Sequence, residues 1–393
     1  MWPLRFTSIR PVPTAIEPVC GVPAQWRRRL RPVVRALPLA AALLAHGLMQ
    51  AASAAASEPT LRSAYSRPPA TWPAANVDAG VRFIELGAWQ PPAAIDALHE
   101  RRLARLGARL FFDPRLSDEG RVSCASCHRP ETAWTLNERV GLGQRAQAGQ
   151  RNPPTLYAVQ ALQTWGWDGR SLSLAAQSLR PLIDPREMGH RSLEALTDKL
   201  REQPDLASRL HALSGKPQEW PALVGQALAA YVRTLHRPSR FDHFVRGEYQ
   251  MLSDLEIQGL HLFRTRARCV NCHFGPALSD GLFHNLGLAF YGEPSQDLGR
   301  HAVTGVCDDA GRFRTPSLRH VAQTAPYMHN GLFRDLKGVL HLYARGGGDP
   351  RLRNAREAAD PLRRCAASVS PLLKPLRLSE SDLRALQAFL GSL

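Results

Sequence analysis

Cys124-Ala125-Ser126-Cys127-His128 and Cys269-Val270-Asn271-Cys272-His273 are one five-residue frame written twice, 145 residues apart. C-x-x-C-H is the attachment frame of c-type haem. Two thiols three residues apart add across the two vinyl groups of one porphyrin. The next residue then puts an imidazole on the iron. Two rival chemistries use paired cysteines. Zinc sites bring their pairs closer in sequence and do not need a His after each. Redox C-x-x-C pairs need no His either. The reading is therefore two covalently bound haem c groups, one on Cys124, Cys127 and His128, the other on Cys269, Cys272 and His273. Such attachment takes place on the outer side of the bacterial inner membrane.

The rest of the 393 residues agrees with an exported globular protein. Hydrophobic residues make up 44% and charged residues 21%, an ordinary globular balance that excludes a disordered or multi-span membrane chain. The charge is the outlier, with 50 basic residues against 34 acidic and a net +16. Such a surplus suggests nucleic acid or an anionic surface. Only four basic residues are Lys, however (Lys199, Lys216, Lys337, Lys374), a bias that a GC-rich genome produces, and they form no sustained block beyond the N-terminus.

That N-terminal block has its own reading. Arg27 to Arg35 (RRRLRPVVR) precedes the apolar run Ala36 to Met49 and the small-x-small triplet Ala52-Ser53-Ala54. This is the pattern of a secretory signal peptide over residues 1–54. The apolar run is short for a bilayer span, and a retained anchor is the alternative. The stretch before Arg27 is long for such a signal, as a later start codon near Val22 would explain. Twin-arginine export lacks its remaining pattern. Without residues 1–54, 43 basic and 33 acidic residues leave +10.

Helical patterns dominate beyond this point. Glu219 to Leu235 places Val224, Leu228, Tyr231, Val232 and Leu235 on one face. Ser253-x-x-Glu256 is a capping box opening a helix that leads into the second haem frame. Ser379-x-x-Asp382 opens the last helix. No long alternating strand is present. The Pro- and Ala-rich stretch Glu58 to Asn76 reads as an extended tail into the first domain. The expected fold is mostly α, with two c-type cytochrome-like haem domains and long wrapping loops at Gly141–Pro154 and Gly275–Gly299. The domains are read as 55–245, with the peroxidatic haem, and 246–393, with the electron-transfer haem. Cys307 and Cys365 are left, and sequence does not tell whether they pair.

Over residues 85–393 the chain resembles the bacterial dihaem cytochrome c peroxidases, including their MauG- and MbnH-like branch. The likeness rests on Leu110-Phe111-Phe112-Asp113-Pro114-Arg115-Leu116-Ser117, Arg151-Asn152-Pro153-Pro154-Thr155, Trp167-Asp168-Gly169-Arg170, Arg312-Phe313-Arg314-Thr315-Pro316 and Ala325-Pro326-Tyr327-Met328-His329-Asn330-Gly331. The resemblance implies that Trp167 is an electron relay between the haems, although a Trp is ordinarily core. It implies that Glu187, eighteen residues after Gly169, is the distal acid–base carboxylate, with Gln177 and Pro181 beside it. A carboxylate there can move a proton between the two peroxide oxygens. It implies a calcium ion held by Asn152, Thr324 and Pro326, which suits hard oxygen ligands, and a basic Arg314 close to the second haem.

Two departures point within the family. No His occurs between His128 and His190, and the place of the peroxidases' distal His falls near Gln144. Haem 1 is therefore expected to be five-coordinate. Fourteen residues after His329, where the peroxidases carry Met, stands Tyr343. A phenolate favours ferric and higher states, whereas Met raises the potential. Tyr343 is thus the expected second ligand of haem 2, with Met328 a rival by type and helix packing the plain alternative.

The implied function is an exported oxidoreductase that uses hydrogen peroxide to oxidise an external donor or partner protein through high-valent haem. The partner is a small cytochrome c, a cupredoxin, or a protein modified by the oxidation. A conventional cytochrome c peroxidase is the alternative, and a non-catalytic dihaem electron carrier is the reading from another class. The expectation is a periplasmic protein with no nucleic-acid partner and no stable membrane span once mature.

Overall fold

A computed structural model of the chain describes residues 60–90 and 98–393. The signal peptide, Cys20 and the cleavage site lie outside these residues. The helices in the first part are α1 (Leu61–Tyr65), α2 (Leu98–Phe112), α3 (Leu174–Ile183), α4 (Leu193–Arg201), α5 (Pro204–His211) and α6 (Trp220–Thr234). There follow α7 (Arg240–Val245), α8 (Asp254–Arg264), α9 (His301–Thr304), α10 (Leu336–Ala344), α11 (Ala355–Ala359), α12 (Pro361–Ala367) and α13 (Glu380–Leu390). The only sheet among the described residues pairs β1 (Phe283–Asn285) with β2 (Arg312–Arg314), antiparallel, with His284 opposite Phe313. No helix among the described residues is long and apolar enough to cross a membrane.

Helix starts follow the local chemistry. At α8 the Ser253 hydroxyl accepts from the Glu256 amide, and the Glu256 carboxylate accepts from the Ser253 amide at 2.7 Å. Ser379 and Asp382 do the same at α13. Ser239 and Asp242 form a third box at α7. Each satisfies N-terminal amides that a helix leaves unpaired.

The apolar faces build two main cores. One gathers α2, α3, α4, α5 and α6, from Leu103 to Leu235. Its tightest seam is α2 on α6: a Cβ on Gly107 would lie 1.9 Å from the Ala227 carbonyl oxygen, so only glycine lets the two helices approach this closely. The other core gathers α7, α8, α10 and α13 around Phe241, Phe263 and Phe389.

The segment 60–90 departs from the expected tail into the first domain. It holds α1 and a 3-10 turn, and it packs Tyr65, Trp72 and Leu86 into the second core. Arg264, 1% exposed, holds it there. Its guanidinium lies 5.6 and 5.3 Å from the Tyr65 and Trp72 rings, bonds the Pro73 carbonyl at 2.6 Å and pairs with Glu85. A buried arginine needs such full pairing, and that requirement fixes the segment. Cys307 and Cys365 form a disulfide that ties α12 to the turn after α9.

Candidate functional site

The two C-x-x-C-H frames face one cavity of about 470 Å³ between the cores. Each frame begins as a single 3-10 turn, Cys124–Ser126 and Cys269–Asn271. Side chains at i and i+3 eclipse in such a turn, so both thiols of a frame point the same way. All four are free thiols. The two pairs do not converge: the only metal-type cluster of His, Cys and carboxylates among the described residues is Cys272, Asp280 and His284. A four-cysteine zinc site is therefore not built. Burial pushes Cys124 and Cys269 up to about 12 and Cys127 up to about 11, the opposite of a reactive redox thiol.

Both histidines are preset as ligands. His128 Nδ1 lies 2.9 Å from the Trp134 carbonyl oxygen and His273 Nδ1 lies 3.0 Å from that of Leu278. A carbonyl only accepts, so Nδ1 carries the hydrogen and Nε2 keeps its lone pair. Burial lowers the pKa of both rings, which keeps them neutral. Glycine makes room alongside: a Cβ on Gly141 would fall 2.4 Å from Cys127 Sγ. Paired thiols, preset imidazoles and a shared cavity fit two haem c groups.

The predicted distal residues come together on one wall. Gln177 and Pro181, one turn apart on α3, line the cavity with Glu187. The Gln177 amide oxygen is buried with no protein partner. A turn in which Glu187 N donates to the Asp184 carbonyl at 3.0 Å aims Glu187 back toward the helix. The Glu187 side chain opens onto the cavity, but the surrounding walls desolvate its carboxyl and Asp184 repels its charge. Arg180 and Arg170 offset only part of this, and the pKa is pushed up to about 7. Gln144 turns away: its Nε2 donates to the Met188 carbonyl at 3.0 Å, and it is not on the cavity wall. His190 is also off the wall, with Nε2 bonded to the Leu116 carbonyl at 2.9 Å.

Trp167 lines the cavity at 9% exposure. Its Nε1 donates to the Asn152 carbonyl at 2.8 Å, and its own carbonyl accepts from Arg314 N at 2.8 Å. The next residue, Asp168, is fully buried. Burial alone would raise its pKa, but ion pairs with Arg170 and Arg151 bring it below the usual carboxylate range. Gly169, at φ +66°, closes the turn where a Cβ would meet the Phe283 ring at 2.3 Å. Arg314 is 5% exposed and bonds only carbonyl oxygens, of Gly166 and Thr315, at 3.2 Å each. Burial pulls it down to about 10. A buried cation without a carboxylate is costly unless a bound anionic group, such as a haem propionate, completes it.

Asn152, Thr324 and Pro326 also line the cavity. Asn152 Nδ2 donates to the Glu138 and Arg139 carbonyls at 3.3 and 3.2 Å, which leaves oxygen as the atom it can offer a cation. Tyr343, on α10, lines the wall with Cys272 and His273. Burial, then Cys272, Cys269 and Asp280, raise its phenol above the usual range, so only a strong cation at the oxygen would hold the phenolate. Met328 lines the wall as well.

Two features went unread in the sequence. His329, used in the sequence only as a motif landmark, stacks on Phe313 at 3.6 Å, stands edge-on to Trp167 at 6.5 Å and leaves Nε2 unpaired. Burial lowers its pKa to about 4. His284 bonds Asp280 at 2.8 Å beside Cys272. His329 meets Trp167 across the fold, so no spacing marks it, whereas His284 stands only four residues after Asp280.

Residues 101–250 match the family described as di-haem cytochrome c peroxidase. The methylamine utilization protein MauG of Methylorubrum extorquens is 35% identical over 298 residues, which is 73% of this chain and 77% of that protein. The cytochrome-c peroxidase IdrP1 of a Pseudomonas species is 31% identical over 320 residues, covering 73% and 79%. A solved MauG-like protein associated with microbial copper homeostasis superposes with a TM-score of 0.65 at 31% identity, over 79% of this chain and 93% of that one.

Proposed function

The chain belongs to the di-haem cytochrome c peroxidase family and is a peroxidase-type oxidoreductase, and on that premise we propose that it works in the MauG-like manner. Peroxide reacts at the first haem site without prior reduction, and the oxidising equivalents go to an external donor or partner protein. The observation that carries this is Tyr343 on the cavity wall beside Cys272 and His273. The turning away of Gln144, with no His between 128 and 190, supports an open first site.

Each residue has a task in this reading. His128 and His273 would each ligate one haem iron, and Tyr343 would be the further ligand of the second. When bound, the haems supply iron that accepts peroxide and stores oxidising equivalents. Glu187 takes a proton from one peroxide oxygen and gives it to the other, which leaves as water; its pKa near 7 suits both directions. Gln177 offers its unpaired amide oxygen to the peroxide O–H, and Pro181 shapes the same wall. Trp167 passes electrons between the two halves of the cavity. Overall, peroxide takes up two electrons and two protons and yields two waters. Arg314 neutralises haem propionate charge, and Asn152, Thr324 and Pro326 hold calcium. The leader over residues 1–54 sends the protein to the periplasm.

The test is stoichiometric peroxide added to the fully oxidised holoprotein. Immediate spectral change at both haems supports the proposal. Change only after one-electron reduction sinks it in favour of the conventional peroxidase.

A further inference from the structure

One surface outside the cavity combines a row of exposed arginines with exposed apolar ends. On α2, Leu98, Arg102, Arg105, Arg109 and Phe112 fall at i, i+4, i+7, i+11 and i+14, a single stripe opposite the buried face of Leu103, Leu106 and Leu110. All five are exposed, Leu98 at 57% and Phe112 at 46%. The side chains of Arg102, Arg105 and Arg109 have no ion pair or hydrogen bond among the described residues. Three like charges within about 10 Å along a helix repel one another, and no described residue pairs with them.

The stripe ends on an aromatic cluster that reaches the cavity. Phe112 packs on Trp134 at 6.5 Å and on Tyr231 at 6.3 Å, and those two rings meet edge-on at 6.2 Å. Behind them Phe111, a cavity-lining residue, touches Trp134 at 5.7 Å and Tyr231 at 5.3 Å. Trp134 also supplies the carbonyl that fixes His128. Tyr231 sits on α6 between Leu228 and Val232, both on the cavity wall. Trp134 and Tyr231 are only half-buried. Two oxidisable rings thus join the first haem site to an exposed apolar spot ringed with unpaired arginines.

We propose that this face of α2 docks an acidic redox protein, and that Trp134 and Tyr231 carry its electrons to the first haem site by a route separate from Trp167. The proposal rests on the peroxidase reading above for its oxidant. For each peroxide reduced to two waters, two partner molecules are oxidised by one electron each. Trp134 or Tyr231 gives up one electron toward the cavity and regains it from the docked partner. The Tyr231 phenolic proton leaves to solvent and returns with the electron. The arginines favour a partner with a negative face and speed its encounter, and Phe112 supplies the apolar contact.

The test uses the holoprotein and an acidic plastocyanin, as the copper(I) donor and as its redox-inert zinc form. At low ionic strength, zinc plastocyanin should protect the amides of 98–112 from hydrogen exchange. The triple variant R102E/R105E/R109E should weaken its binding at least tenfold, as should added salt. No binding, protection only elsewhere, or unchanged affinity in the triple variant overturns the docking face. Peroxide added without donor should give a freeze-trapped radical signal that changes in Trp134→Phe and is lost in W134F/Y231F. An unchanged signal in the double variant overturns the route. The parent reading fails separately, if the wild-type holoprotein consumes no peroxide with guaiacol.

Discussion

Trp167 Nε1 donates to the carbonyl oxygen of Asn152 at 2.8 Å, while the Asn152 side chain bonds the Glu138 and Arg139 carbonyls. The indole assigned to electron relay is thereby hung on the residue assigned to calcium. Metal loss and relay loss should go together. Chelation of the holoprotein should lower the melting temperature and weaken electronic coupling between the haems, and calcium should restore both. Asn152→Ala should cost about 1–3 kcal/mol, since two carbonyls lose their donor, and should remove the response to chelator. Calorimetry and near-infrared spectra with and without chelator check this.

Glu187 gives a pH signature. Burial pushes its carboxyl up to about 7, and only the ionised form can take the first proton from peroxide. The peroxide step should therefore rise as pH increases through about 7 and level off above it. Glu187→Gln should lower the rate by roughly 10²- to 10⁴-fold and abolish that inflection while haem content stays at two. Stopped-flow kinetics from pH 5 to 9 are the measurement. A retained inflection would assign the proton transfer to another group.

Tyr343→Met tests the second haem's ligand. A thioether favours the ferrous state where a phenolate favours the ferric. The second haem's potential should shift positive by on the order of 100 mV or more, and reaction with peroxide should come to require prior reduction. Spectroelectrochemistry reads the first effect. An unchanged potential would leave Tyr343 as a packing residue.

Gly143 packs against the loop that carries Glu187. A Cβ there would lie 2.0 Å from the Arg186 carbonyl oxygen and 2.5 Å from that of Glu187. Gly143→Ala must displace that loop. The expected outcome is both haems attached, by mass spectrometry, with a slowed peroxide step. Full speed would show that the loop moves without cost.

Removing the Cys307–Cys365 disulfide with a double Ser substitution should cost about 4 kcal/mol, the loop-closure entropy for a bridge of this span. The bridge spans 58 residues of sequence. Denaturant titration of the holoprotein measures it. The haem spectra should hardly change, because neither cysteine lines the cavity.

The haem frames were readable because covalent attachment fixes residue type and spacing within five positions. The capping boxes at Ser253 and Ser379 were readable for the same local reason. Glu187, Gln177 and Tyr343 were placed by resemblance, and the fold brings them to the cavity wall. What stayed hidden was long-range. Arg151 pairs with Asp297 at 2.6 Å across 146 residues, and Asn271 takes the Asp78 amide across 193. No periodicity encodes such meetings. The cysteine pair was open for a related reason, since whether it closes depends on a 5.7 Å Cα separation that only the fold supplies.

The clasp of Arg264 on Tyr65, Pro73 and Glu85 bears on the order of assembly. The stretch 60–90 leaves the ribosome well before its partner, since Arg264 follows Glu85 by 179 residues. Until then its aromatic rings lack their native cover, and a chaperone must shield them. A tag or truncation placed before residue 60 leaves the clasp whole. One that reaches past Tyr65 removes the doorstop of the far half of the molecule rather than trimming a loose end.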